Sequence, residues 1–337
     1  VIAADVFGMN GMVFSGIVVV IVMGLSVMGG LLSVAVTDLI QMIFMIVGVA
    51  IAVLFAWPAV GGWAGIEQAV ALHGTPTHLN PLGDAGAGMQ LMFLYVVLSF
   101  SSYADPSFYQ RFSASESPRS AKKALLICIC LWLAWDACVC ILGLCGLALF
   151  PELSPGGAYL NVSLSVLPVI LRGLFLCGVI GAIVSTLSSY WLIGGTCIAN
   201  DIYRNAINPN ASEKTVLTLN RLGIVFMGGF ALILAGQFSM MASAWAFVGS
   251  MWTGGALVPV LGGLFYPGRV SKVSGFWSLI VGIVVTIACS GYFLDTATTI
   301  GIQPLFVSLP ISFMVFVIGG YFGEESPRKK EGGMIYV

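Results

Sequence analysis

Long charge-free stretches dominate the chain. Residues 6–37, 39–66, 85–104, 173–200, 222–268, 273–294 and 296–323 contain no Asp, Glu, Lys or Arg. A helix of about 20 apolar residues crosses the hydrocarbon core of a bilayer, and it satisfies its own backbone groups there. Spans are therefore predicted near 10–30, 35–57, 88–106, 122–150, 171–200, 214–236, 240–266, 273–293 and 301–322. The run 222–268 is too long for one crossing, and Gly236-Gln237-Phe238-Ser239 is predicted to fold it into a hairpin. The expectation is an all-α polytopic membrane protein with about nine helices, lying in the lipid bilayer as a single transmembrane domain.

Polar positions between the spans set the orientation. Basic residues follow the third span (Arg111, Arg119, Lys122, Lys123), the fifth (Arg204, Lys214, Arg221) and the seventh (Arg269, Lys272), and return in the tail (Arg328, Lys329, Lys330). The alternate loops 58–87, 151–170, 237–239 and 294–300 have none, and Arg172 is the one exception. Lys and Arg concentrate in cytoplasmic loops, so the C-terminus is expected in the cytoplasm and the protein in the plasma or inner membrane of a cell. Nine spans then put Val1 outside. A start without Met directly ahead of a span reads as a chain lacking an odd number of N-terminal spans.

Composition excludes other classes. Charged residues are 8% of the chain and hydrophobic ones 59%, against about 25% charged in a soluble domain. A net charge of −1 leaves no basic footprint for nucleic acid. His73 and His78 share one polar loop, and the eight cysteines lie in apolar spans without zinc-ligand spacing, so they read as buried small hydrophobes. No phosphate-binding glycine pattern and no nucleophile with a base is present. Neither an enzyme nor a cofactor is expected.

Three motifs carry a resemblance. Gly29-Gly30-Leu31-Leu32-Ser33-Val34-Ala35-Val36-Thr37-Asp38-Leu39-Ile40-Gln41 resembles the glycine-pair, Thr-Asp and Gln signature of the sodium:solute symporter family, kin of the sodium/glucose cotransporters. Asp105-Pro106-Ser107-Phe108-Tyr109-Gln110-Arg111 is similar to that family's Gln-Arg region. Gly181-Ala182-Ile183-Val184-Ser185-Thr186-Leu187-Ser188-Ser189, followed by Asp201-Ile202-Tyr203, is similar to its Ala-x-x-Ser-Ser/Thr segment and closing Asp-Ile-Tyr. The resemblance implies a LeuT-like fold of five-plus-five inverted repeats with sites where helices break at mid-membrane. Residues 1–57 would be the last two helices of repeat one, 88–266 repeat two, 273–322 peripheral helices and 323–337 a cytoplasmic tail. Repeat one's first, broken helix would lie outside this chain. The implied function is sodium-coupled symport of a small organic solute into the cell by alternating access. A sensor or input module built on the same fold is the alternative, and a tail this short argues against it.

Individual residues admit two readings each. Ala182, Ser185 and Thr186, at i, i+3 and i+4, share one helix face. By spacing they form either a small-residue packing face or an oxygen cluster for a hard cation. The resemblance puts the family's conserved sodium site on these positions. Asp38 reads as a helix N-cap with Thr37, or as a carboxylate guiding sodium towards the cytoplasm. Ser99, Ser101, Ser102 and Tyr103 fall where the family's counterpart helix breaks and touches substrate. With Trp245 they are candidate substrate-lining residues. Asp136 is the lone charge within 124–151, either protonated or hydrogen-bonded, or coupled to an ion or proton.

Orientation is checked by cysteine labelling in a background without native cysteines. Position 78 should react with an impermeant reagent from outside and position 119 only from inside; the reverse pattern would overturn the topology.

Overall fold

A computed structural model describes residues 6–80, 87–153, 155–235, 241–290 and 302–322. The predicted hairpin at 236–239, the loop 294–300 and the tail 323–337 lie outside the described residues. The chain divides into two compact units, one of Val1–Pro81 with Ser115–Gln237, the other of Leu82–Ala114 with Phe238–Val337.

In the first unit, α1 runs Gly11–Ala59 and α2 Gly62–His73. After a segment belonging to the second unit come α5 (Pro118–Leu149), α6 (Pro155–Val166), α7 (Val169–Thr196), a π-helical stretch Cys197–Ile207 and α8 (Glu213–Ala235). Asn10 caps α1, its side chain accepting from the Met12 N–H at 2.9 Å. A straight helix of 49 residues would be about 74 Å long, over twice the ~30 Å hydrocarbon core. Gly30 breaks it with φ +62° and ψ −171°, a conformation essentially reserved for glycine. The spans predicted at 10–30 and 35–57 are thus two helices that follow each other directly across a kink at this one residue. Val19 and Val22 before the break and Val34 after it share a buried cluster with Trp191, Leu192 and Ile224.

Beyond the break, α1 lies antiparallel against α7. Gly48 faces Phe175 and Gly178 faces Met45, so closely that a Cβ on Gly178 would come 2.8 Å from the Met45 Cα. In lipid, helices have no hydrophobic reason to associate, and small residues that admit close backbone packing replace that drive. A second cluster joins α1, α2, α5, α6 and α7 through Val49, Ala52, Ile66, Leu142, Leu160 and Phe175.

The second unit holds α3 (Ala87–Ser99), a 3-10 turn Phe100–Ala104, α4 (Pro106–Ser113), α9 (Met241–Trp252), a π-helical stretch Thr253–Leu257, α10 (Val258–Phe265), α11 (Lys272–Cys289) and α12 (Pro304–Gly319). Its core combines an apolar cluster of Leu94, Leu98 and Leu305 with a stripe of small, uncharged polar residues. Ser274, Ser278, Gly282 and Thr286 recur every fourth residue of α11 and are buried, opposite buried Ser308 and Ser312 of α12. Ser312 Oγ donates to the Ser278 carbonyl at 2.9 Å, and Ser271 Oγ donates to the Gly319 carbonyl at 2.8 Å.

Outside these cores the surface is apolar. Leu125, Leu126, Ile127, Ile129, Trp132 and Leu133 of α5 are all exposed, which lipid tolerates and water does not. Among the described residues six helices are long and apolar enough to cross a membrane, and two shorter apolar ones are Met92–Ala104 and Pro304–Gly319. With α1 counted on both sides of Gly30, these correspond to the predicted segments of a multi-pass membrane protein. The reading of the cysteines needs correction. Cys145 and Cys289 are buried, but Cys128, Cys130, Cys140 and Cys177 are exposed on helix surfaces, because a helix that faces lipid is apolar on its outer side as well as its inner one.

Replacing Gly30 by Ala should destabilise the purified protein by about 1–3 kcal/mol, the cost of forcing a side chain into that backbone region. Gly229→Ala, where a Cβ meets nothing within 4 Å, is the control. Equal thermal unfolding of the two variants would mean that Gly30 does not hold this backbone conformation.

Candidate functional site

The predicted oxygen cluster forms on α7. Ser185 Oγ donates to the Ala182 carbonyl at 3.0 Å, and Thr186 Oγ1 donates to the same carbonyl at 2.9 Å. Short hydroxyls in a helix interior return to the carbonyl three or four residues back. Three oxygens are thereby gathered at one point, Ser185 half-buried and Thr186 exposed. Each hydroxyl spends its proton on the carbonyl and keeps its lone pairs.

One turn further, Ser188 Oγ donates to the Ser185 carbonyl at 3.1 Å and Ser189 Oγ donates to Asp38 Oδ2 at 3.3 Å. The latter bond joins α7 to α1 across 151 positions of sequence. Ser188 and Ser189 are buried and Asp38 half-buried. The N-cap reading of Thr37 and Asp38 fails: both lie inside α1, and Thr37 Oγ1 donates to the Ser33 and Val34 carbonyls. Helix resumes immediately after Gly30, so no helix start falls at Asp38. Its carboxylate belongs instead to the helix face that meets α7.

Gln41, on the same face of α1, packs over Gly181 beside the cluster, where a Cβ on the glycine would lie 3.0 Å from the Gln41 Cβ. Gln41 Oε1 is buried without a hydrogen-bond partner among the described residues. Gln41, Ser188 and Ser189 lay within the motifs quoted above yet were not singled out as site residues. Their signal was available: Gln41 follows Asp38 by three positions, and Ser189 follows Ser185 by four.

Of the remaining candidates, Asp136 belongs to the first unit and the others to the second. Asp136 is exposed in the middle of α5 and makes no hydrogen bond among the described residues, while the Nε1 of neighbouring Trp135 is buried without a partner among them. In the second unit α3 ends at Ser99, whose Oγ donates to the Val96 carbonyl at 2.7 Å, and the chain tightens into the 3-10 turn Phe100–Ala104. Ser101 is half-buried, whereas Ser99, Ser102 and Tyr103 are exposed. Tyr109 OH donates to the Tyr103 carbonyl at 2.6 Å, and Asp105 Oδ1 accepts from the Ser107 N–H at 2.7 Å, capping α4. Trp245 stacks on Tyr95, with ring centroids 5.6 Å apart. Among the described residues no three His, Cys, Asp or Glu side chains are gathered as a metal site.

Residues 2–282 match the model of the sodium:solute symporter family. The chain is 29% identical over 232 residues to the uncharacterized symporter YidK of Escherichia coli, covering 64% of this chain and 40% of that protein. It is 27% identical over 289 residues to the sodium/proline symporter of Haemophilus influenzae, covering 77% of this chain and 54% of the relative. The chain thus spans about half the length of the curated relatives it matches. A solved Na+-coupled sialic acid symporter, substrate-bound and outward-open, superposes with a TM-score of 0.73 at 20% identity, over 96% of this chain and 70% of its own. The expected LeuT-like helical fold is the one this chain carries.

A double-mutant cycle tests the α1–α7 contact. Asp38→Asn and Ser189→Ala should couple by about 0.5–3 kcal/mol in thermal unfolding, as for groups sharing one hydrogen bond. Strictly additive losses would mean that the two side chains do not interact.

Proposed function

From the premise that the chain belongs to the sodium:solute symporter family, we propose that it is the transport core of a symporter moving sodium and a small organic solute into the cell together. The observation that carries this reading is the convergence of Ser185 and Thr186 hydroxyls on the Ala182 carbonyl, with Asp38 tied to Ser189 one turn away. Sodium is cargo here. Ala182, Ser185 and Thr186 supply neutral oxygens, which hold it weakly enough for release. Asp38 lies roughly 8 Å from the cluster, one turn plus a hydrogen bond, where its charge attracts sodium by about 2 kcal/mol at an effective dielectric constant of 20. That pull is enough to draw the ion along the Ser185–Ser189 face, and too small to trap it.

The domain assignment follows the family. Residues 1–57 are read as the last two helices of repeat one, 88–266 as repeat two, 273–322 as peripheral helices and 323–337 as a cytoplasmic tail. Ser99, Ser101, Ser102, Tyr103 and Trp245 are read as lining the solute path, with the end of α3 at Ser99 freeing polar groups for the solute. Asp136 is assigned a coupling role, since a carboxylate in mid-span is costly unless used. The relatives' names point to proline as the first solute to test, with sialic acid beside it in a panel of amino acids, sugars and vitamins.

The gene product carrying this chain should accumulate one of these solutes only with an inward sodium gradient. Ser185→Ala or Thr186→Ala should each raise the sodium concentration for half-maximal uptake about ten-fold, the scale of one lost polar contact. Unchanged sodium dependence in both variants would remove the ion site and leave a packing face.

A further inference from the structure

A groove of about 570 Å³ runs along the second unit between α10 and α12, walled by Leu257, Leu261, Phe265, Leu309, Phe313 and Tyr266. The two helices are parallel: Gly254 faces Ser308 at one end and Gly262 faces Phe316 further along. From Leu257 to Pro267 the groove is about 15 Å long, half of the ~30 Å hydrocarbon core. It therefore has the depth of one leaflet. At its mouth the ring of Tyr266 meets Phe313 and Phe316 edge-on, with centroids 6.1 and 5.9 Å apart. Tyrosine with one apolar face and one wet end marks a membrane–water interface. Three residues on stands Arg269, its backbone packed on Gly320 at the end of α12, and beyond it Lys272. Both cationic side chains are exposed.

We propose that this groove is a docking site for one anionic phospholipid, with an acyl chain along α10 and α12 and the phosphate headgroup at Arg269 and Lys272. The apolar walls account for the chain, the length for a single leaflet, and the two cations for the sign of the headgroup. Basic groups beside membrane helices attract anionic headgroups in just this way. Neither the solute path nor the α7 cluster is involved, so the site is independent of the transport reading.

The test uses the full chain in phosphatidylcholine nanodiscs doped with phosphatidylglycerol or phosphatidylcholine bearing a photoreactive diazirine in the acyl chain. Cross-links from phosphatidylglycerol should map to 257–267 and 309–313 in excess of those from phosphatidylcholine. Arg269→Gln with Lys272→Gln should cut phosphatidylglycerol labelling there about five-fold per charge removed and leave phosphatidylcholine labelling unchanged. Leu261→Trp, filling the groove, should lower labelling by both lipids; the charge variants, being on the surface, stand even if this one misfolds. Labelling spread equally over the exposed face of α5, or indifferent to the two charges, would overturn the proposal. So would efficient chain-to-chain disulfide formation by Phe265→Cys, which would make the occupant a second copy.

Discussion

In hydrocarbon an unsatisfied backbone N–H or C=O costs several kcal/mol, and this constraint decides where the chain can depart from the α-helix. It does so at Gly30, at Phe100–Ala104, at Cys197–Ile207 and at Thr253–Leu257, and three of these have visible support. At the second, Tyr109 OH reaches back to the Tyr103 carbonyl and Asp105 caps Ser107. At the third, the Asn220 amide donates to Thr196 Oγ1 at the entry to the π-helical stretch. At the fourth, Gly254 is wedged between Ser308 and Thr286, with Gly282 packed on its carbonyl. Gly30 differs, since glycine itself removes the steric cost.

Serine and threonine do two jobs under the same constraint. On α11 and α12 they form a buried stripe of small residues, each hydroxyl bonded to a helix carbonyl, and the result is close static packing. On α7 the same back-bonding chemistry recurs at Ser185, Thr186 and Ser188, but here a carboxylate joins in from another helix. Spacing does not separate the two cases, because hydroxyls at i, i+3 and i+4 are found in both. What distinguishes them is charge: Asp38 touches Ser189, and the stripe on α11 and α12 has no acidic residue within Lys272–Cys289 or Pro304–Gly319.

That charge gives the proposed transport cycle its energetic logic. A cation held by neutral oxygens alone competes poorly with water, while one held directly by a carboxylate in a low-dielectric site escapes slowly. Placing the carboxylate one helical turn from the neutral cluster offers attraction without capture. The close approach at Gly48 and Gly178 sets the spacing of α1 and α7.

Much of this was determined by the sequence alone. Uncharged runs of bilayer length dictate crossing helices, since lipid permits little else, and the three motifs identify the family and the cluster on α7. Asp-Pro at 105–106 already marked a helix boundary, because proline removes a donor and restricts the residue before it. Other features depended on tertiary structure. Hydropathy sees Gly29-Gly30 as a gap between two spans, whereas only backbone geometry distinguishes a loop from two helices joined directly at a single kinked residue. Composition could not say which cysteines face lipid, since in a membrane both sides of a helix are apolar. Above all, Asp38 looked like a cap from its neighbours in sequence. It became part of the α7 face only when α1 was laid antiparallel on α7, because the hydrogen bond that places it spans two helices and is invisible to any local pattern.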